Sequence, residues 1–236
     1  LAIMKGRVDG LEARVNGIEA GSFSETTTMK GKAKFMIGGT DGVSDEAVSA
    51  AYFWEVDLNT SFTGEDNLNV EIETGNTPSS TDNFLAVTDF GKDSKDVLKV
   101  SDINYTFPLG GWSITVGDSL DASKQFTGAC SYGNTVDALS DCGTGNSIAV
   151  GGDQTISAGY ALDNGFSFGL GISAEDGEKA DKGMFTAEGE DIYALNVAYS
   201  GDNYGLALAY ADVDVATYWG INASYSPDGF PTISGG

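Results

Sequence analysis

Residues 26–39, TTTMKGKAKFMIGG, place three lysines on alternate positions, Lys30, Lys32 and Lys34. The positions between and after them are small or apolar: Gly31, Ala33, Phe35 and Ile37. Successive side chains of a β-strand point to opposite faces, so this stretch predicts a strand with one charged face and one apolar face. The fold depends on what covers the apolar face.

The same period of two recurs along the chain and predicts ten strands. They are expected at residues 27–37, 49–62, 67–74, 97–107, 111–118, 153–162, 165–173, 191–200, 203–211 and 215–226. Aromatic residues tend towards strand ends, as Tyr193 and Tyr199 do in the eighth strand. This placement is typical of rings at a membrane interface, where one side is apolar and the other is wet.

The predicted connections alternate between short and long. The short ones are 63–66, 108–110, 163–164, 201–202 and 227–229; the long ones are 38–48, 75–96, 119–152 and 174–190, with 212–214 as an exception. Short turns at one end and long loops at the other are typical of outer-membrane barrels. We therefore predict an all-β fold, a transmembrane antiparallel up-and-down β-barrel over residues 21–236. Its apolar faces would meet lipid and its lysines a water-filled lumen. The alternative is a soluble β-sandwich or a β-solenoid adhesin, whose strands also alternate.

Composition excludes several functions. The 236 residues carry 12 Lys and Arg against 35 Asp and Glu, a net charge of −23, which argues against nucleic-acid binding. The chain has no histidine, which removes the usual general base and the commonest metal ligand. We predict no enzyme activity, no cofactor and no metal site. There is no run of 18 apolar residues and no signal peptide; because the chain starts at Leu1, we expect a processed or fragmentary protein.

Residues 1–20 follow a seven-residue repeat rather than a period of two. Its core positions are Leu1, Val8 and Val15 together with Met4, Leu11 and Ile18. This pattern predicts a short coiled-coil helix, the end of an oligomerising stalk. The alternative is one amphipathic helix packed on its own domain.

The junction of the two regions, GRVDGLEARVNGIEA followed by FSETTTMKGKAKFMIGG, resembles cyanobacterial outer-membrane porins over roughly residues 5–39. The resemblance implies a homotrimeric porin in the cell outer membrane that passes ions and small hydrophilic solutes, with some relatives being carbohydrate-selective or iron-uptake porins. It also implies a periplasmic stalk and an upstream S-layer-homology domain that binds the cell wall; that domain is absent here. The chain ends on Gly236, where such barrels usually finish on an aromatic residue, so C-terminal strands are expected to be missing from a barrel of about 16 strands.

Seven charged residues on the first three strands are the predicted pore-lining set: Lys30, Lys32, Lys34, Glu55, Asp57, Glu71 and Glu73. Adjacent basic and acidic strands would produce a transverse field that sorts ions by charge. The alternative is cross-strand salt bridging that stabilises the wall.

The third long connection, residues 119–152, is predicted by analogy with porins to fold inward as a constriction loop. Its candidate charges, with the end of the preceding strand, are Asp118, Asp121, Lys124, Asp137 and Asp141. Cys130 and Cys142 are predicted to form a local disulfide in an oxidising compartment. The alternatives are an ordinary external loop and two free thiols.

Two functions remain for the chain. The first is a passive diffusion channel whose selectivity comes from lumen charge and the inward loop. The second is a non-transport trimeric envelope or adhesin protein with a β-domain tethered by the coiled coil.

Overall fold

The computed structural model describes residues 26–39, 48–76, 94–129, 142, 152–187 and 189–236. The predicted stalk, residues 1–20, and the predicted site residues Cys130, Asp137 and Asp141 lie outside this part of the chain. The described residues include no helix long and apolar enough to cross a membrane.

Eleven β-strands follow one another along the chain. They are β1 Thr27–Gly38, β2 Ser49–Thr60, β3 Asn67–Gly75, β4 Lys99–Leu109, β5 Trp112–Asp118, β6 Gln154–Ala161, β7 Phe166–Glu175, β8 Glu190–Ser200, β9 Tyr204–Val213, β10 Ala216–Tyr225 and β11 Ile233–Gly235. The ten predicted strands are confirmed, each boundary within two residues of its expected position. The period of two does not predict β11, because its three residues are too few to show it.

The strands form one antiparallel sheet in sequence order, from β1 to β11. Every neighbouring pair is therefore a hairpin, which is the predicted up-and-down topology. The strand ends that the long connections join lie at one end of the sheet, which we call the loop end, and the turn at 214–215 is the short exception there. The opposite end is the turn end.

The turn between β4 and β5, at the turn end, requires glycine. Between β4 and β5, Gly110 and Gly111 have φ angles of 57° and 91°. Both values lie in the left-handed region, which residues with a side chain adopt only under strain. Two successive positive φ angles match the turn that suits the twist of a hairpin, and they bring the chain straight back into the sheet.

The two faces of the sheet differ in exposure. Trp54, Leu170 and Leu208, on one face, are 37%, 43% and 44% exposed. On the other face, Ser157 and Ala194 are 0% and 2% exposed. A soluble sheet would cover its large apolar side chains and leave its small polar ones in water, so this sheet is inverted relative to a soluble protein.

Aromatic rings cluster on the exposed face near the turn end. Five ring contacts lie there, with centroids 4.9–6.3 Å apart: Phe62–Tyr105, Tyr105–Phe107, Trp112–Tyr160, Phe166–Tyr199 and Tyr199–Tyr204. Tyr210 and Trp219, 4.7 Å apart, form another contact nearer the loop end. The band of rings near the turn end matches one girdle of a transmembrane sheet, and the Tyr210–Trp219 pair lies towards the position of the other.

Candidate channel face

The face that carries the small and polar side chains is called the inner face here. Its register brings the predicted pore-lining residues onto the same side of the sheet. Lys32 lies opposite Glu55, which lies opposite Glu73, and Asp57 lies between Lys30 and Glu71 in the same way. Lys34 is two residues beyond Lys32 and so shares this face.

Some of these charges form ion pairs. Lys32 Nζ is 2.7 Å from Glu55 Oε1, and Lys99 Nζ is 3.6 Å from Glu73 Oε1. Carboxylate oxygens of Glu55, Glu71 and Glu73 lie within 4.8 Å of one another, so the two lysines offset part of a dense negative cluster. In each pair a half-exposed lysine meets a buried carboxylate, since Glu55 and Glu73 are 8% and 1% exposed. The ion pairs therefore link neighbouring strands, and the carboxylate charge that they do not offset remains as a local field on the inner face.

A β-bulge adds two charges to the inner face that the period of two does not predict. The register between β3 and β4 shifts between Glu71 and Ile72, so that Ser101 is the extra residue. As a result Lys99 pairs with Glu73 and Asp102 with Glu71, and both side chains share the inner face although they are three residues apart. The sequence contains one sign of the bulge. The apolar residues Val100 and Ile103 are three positions apart, which breaks the period of two.

Amide side chains hold the carboxylates in place. Asn69 Nδ2 donates to Asp57 Oδ1 at 3.1 Å, and Asn104 Nδ2 donates to Asp102 Oδ1 at 2.8 Å. Asn104 Nδ2 also lies 3.3 Å from Asn69 Oδ1, so a line of hydrogen bonds crosses β2, β3 and β4. Neutral donors stabilise a carboxylate without cancelling its charge.

The third long connection begins by packing onto the inner face. Thr155 Oγ1 donates to the Leu120 carbonyl at 2.8 Å, and Ser157 Oγ donates to the Ala122 carbonyl at 3.0 Å. The backbone nitrogen of Gln125 donates to Ser157 Oγ at 3.1 Å. We call residues 120–129 the inner segment. Its first half is thus bound to β6.

Two asparagines bind its second half. The backbone nitrogen of Thr127 donates to Asn196 Oδ1 at 2.9 Å, and that of Ala129 donates to Asn222 Oδ1 at 2.7 Å. Both asparagine side chains are buried, 3% and 2% exposed. The inner segment therefore crosses from β6 to β10.

Small wall residues make this close approach possible. A Cβ atom on Gly171 would overlap the carbonyl of Ala122, and one on Gly169 would meet the ring of Phe126. Ala122 packs with Ala194 in the hydrophobic cluster between the inner segment and the wall. The inner segment occupies the space that larger side chains would otherwise fill.

The predicted constriction residues in the described part have separate surroundings. Asp118, at the end of β5, accepts a hydrogen bond from Gln154 Nε2 at 2.6 Å. Asp121 is exposed, and Lys124 Nζ lies 3.5 Å from Asp102 Oδ2. Cys142 is buried, 2% exposed, while its predicted disulfide partner lies outside the described residues, so the pairing stays a prediction.

An acidic loop, residues 176–189, lies at the loop end. Asp176 forms ion pairs with Lys179 at 2.6 Å and with Lys182 at 3.0 Å. Hydrogen bonds from both lysines lower the pKa of Asp176. Asp153 and Glu178 place carboxylates beside Asp176. The two lysines offset part of the negative charge of this surface cluster.

A second polar turn lies at the turn end, between β2 and β3. Asp66 Oδ2 accepts a hydrogen bond from Tyr105 at 2.6 Å, while Oδ1 accepts from the backbone nitrogens of Phe62 and Thr63 at 2.9 and 2.7 Å. The Tyr105 hydroxyl, followed by Thr63 and Ser61, holds the pKa of Asp66 well below its ordinary value despite the burial that opposes this. The turn is thus fixed by an ionised carboxylate.

An inverted antiparallel meander with a chain segment folded against its inner face defines a porin-like fold. Solved structures of a porin resemble this fold. A triply substituted mutant of Rh. blastica porin matches with a TM-score of 0.56 at 12% identity, covering 88% of this chain and 72% of that one. A second mutant of the same porin matches with a TM-score of 0.55, also at 12% identity and with the same coverage.

Sequence comparison adds a relative without a known function. An uncharacterised protein of Nostoc sp. (strain PCC 7120) is 25% identical over 242 residues. The match includes 89% of this chain but 42% of that protein, so the chain spans less than half the length of the curated relative it matches. No protein-family profile matches the chain.

Proposed function

We propose that this chain forms part of the wall, and the inward segment, of a water-filled channel in a bacterial outer membrane. Inorganic ions and small hydrophilic solutes cross it by passive diffusion. The chain performs no chemistry on them and needs no cofactor.

The inverted sheet carries this proposal. Large apolar side chains cover the outer face at intermediate to high exposure, and the charged and amide side chains share the opposite face. In water such an apolar surface would drive aggregation, whereas lipid covers it at no cost. The alternative, a sealed or soluble β-domain of an adhesin, would need its apolar face covered by protein.

Planar-bilayer recording tests the proposal. The full-length protein that carries this chain is purified in detergent, its β-structure is checked by circular dichroism, and it is added to a bilayer in about 1 M KCl. Stable, uniform current steps are expected. A folded protein that binds the bilayer but never gives such steps would refute the channel.

The charged residues Lys30, Lys32, Lys34, Glu55, Asp57, Glu71 and Glu73 are proposed to line this channel and to sort solutes by charge. Uncharged sugars are a second class of solute to test, by swelling of vesicles that contain the protein. Graded swelling rates with solute size would indicate a size-limited pore.

The setting of the channel is a further part of the proposal. Residues 1–20 would form a periplasmic coiled coil that holds three copies together, and an upstream domain would bind the cell wall. Cys130 and Cys142 would stiffen the third connection by a disulfide. Cross-linking in membranes, and the mobility of the protein with and without reductant, test these points separately.

A further inference from the structure

The inner face is divided into two halves of different chemistry. Over β1–β4 it carries the nine charges of Lys30, Lys32, Lys34, Glu55, Asp57, Glu71, Glu73, Lys99 and Asp102. Over β5–β10 the inner-face positions are mostly Gly, Ala, Ser, Thr and Asn, and Glu175 and Glu190, both at the loop end, are the charged ones among them. We call these the charged half and the neutral half.

The inner segment covers the neutral half. Gln125 Nε2 donates a hydrogen bond to Thr115 Oγ1 on β5 at 2.7 Å. The other hydrogen bonds of the segment to the wall involve Thr155, Ser157, Asn196 and Asn222, which belong to β6, β8 and β10. These four wall residues are 0–3% exposed, so solvent does not reach them. A solute that crosses the sheet along its inner face therefore meets the inner segment there, not the wall.

One side chain of the inner segment, that of Lys124, reaches the charged half. Lys124 is the single Lys or Arg of residues 119–152. Its Nζ lies 3.5 Å from Asp102 Oδ2 on β4, and its side chain is 41% exposed. Lys124 thus stands at the border of the two halves, in contact with solvent and beside the acidic cluster.

We propose that solutes pass over the charged half, between β1–β4 and the inner segment, and that Lys124 is a specificity-determining residue of this path. The proposal rests on the channel function above. The ammonium group of Lys124 offsets the negative charge of β2–β4 at the point where the inner segment bounds the path. Without Lys124, the cations of β1 would face an acidic wall to which the third connection adds no other lysine or arginine.

Charge reversal at Lys124 tests its role. For Lys124→Glu, the reversal potential in a KCl gradient is expected to shift so that the permeability ratio of potassium to chloride rises about fivefold. This estimate takes a change of two charges about 8 Å from a passing ion, in water with about 0.1 M salt. Lys179→Glu is the matched control, because it makes the same charge change in the loop at residues 176–189 and should leave the ratio unchanged.

The route itself is tested by thiol accessibility. Asp57→Cys places a thiol on the charged half. Ser157→Cys places a thiol under the inner segment, where a cysteine side chain is nearly the same size as the serine it replaces. A charged methanethiosulfonate added to open channels should reduce the current of the first variant and leave the second unchanged, with the unsubstituted protein as the blank.

The outcomes separate the two proposals. If the unsubstituted protein gives no channels, the channel function fails. If it conducts but Lys124→Glu has the same permeability ratio, or if only Ser157→Cys is blocked, the path over the charged half is refuted. Lys124→Gln, which only removes charge, replaces the reversal variant should that one not fold, with a smaller rise expected.

Discussion

Replacing Asn196 and Asn222 by alanine should release the inner segment from the wall. The two bonds that would be lost measure 2.9 Å from the Thr127 nitrogen and 2.7 Å from the Ala129 nitrogen. A neutral hydrogen bond of this kind contributes about 1 kcal/mol. A change of that size shifts an opening equilibrium about fivefold, and two independent changes shift it about 30-fold.

Hydrogen exchange measures this shift at the two amides concerned. In the double variant the Thr127 and Ala129 amides should exchange about 30-fold faster, and in each single variant about fivefold faster at the amide that lost its acceptor. Amides in the middle of β6 should keep their rates, because the sheet itself is unchanged. The open-channel current should also become noisier, since the segment that bounds the path would move.

Asn203→Ala is the matched control. Asn203 is an exposed residue of the turn between β8 and β9, and its removal should change neither exchange at Thr127 nor the current noise. Wild-type exchange rates in the double variant would contradict the assignment of these hydrogen bonds as the anchors of the segment.

Three further changes test other parts of the structure. Leu170→Lys, at the middle of β7 on the outer face, should lower the free energy of unfolding in lipid vesicles by about 2–4 kcal/mol. Phe166→Lys, at the first residue of β7, should lower it by under about 1 kcal/mol. Equal losses for the two variants in urea titrations would argue against lipid on this face. Asp66→Asn should destabilise the protein at neutral pH. Because the folded-state pKa of Asp66 lies below the unfolded value of about 4, that difference is present above about pH 4 and shrinks as pH falls further, whereas a pH-independent difference would mean that charge is not involved. Changing Lys30, Lys32 and Lys34 together to Glu should move ion selectivity towards cations; an unchanged reversal potential would remove them from the pore lining.

Strand positions were predictable because the two faces of the sheet impose opposite demands on alternate residues. In β8, the large side chains of Tyr193, Leu195 and Val197 are exposed, and the residues between them are buried. The pattern is local, so a single sequence is enough to read it. The prediction places the strands but leaves open what fills the space behind them.

The missed features depend on interactions that local periodicity does not contain. The bulge at Ser101 changes the face of Lys99, and only pairing with β3 reveals it. Asn196 and Asn222 bind residues 69 and 93 positions away in the chain. Such long-range contacts leave a weak signal, an isolated amide among alanines and glycines, which the strand pattern alone did not assign to a role.

The two halves of the inner face follow from one physical constraint. A charged side chain beneath the inner segment would lose its hydration without gaining a partner, which costs several kcal/mol. Wall positions under the segment must therefore be neutral, and they must also be small, because the backbone of Ala122 lies directly on Gly171. Over β1–β4, which the inner segment does not cover, long side chains such as those of Lys30 and Lys99 reach into solvent instead. On a sheet with a lipid-facing side, a run of alternate small residues thus indicates where chain docks, and a run of alternate charges indicates where water remains.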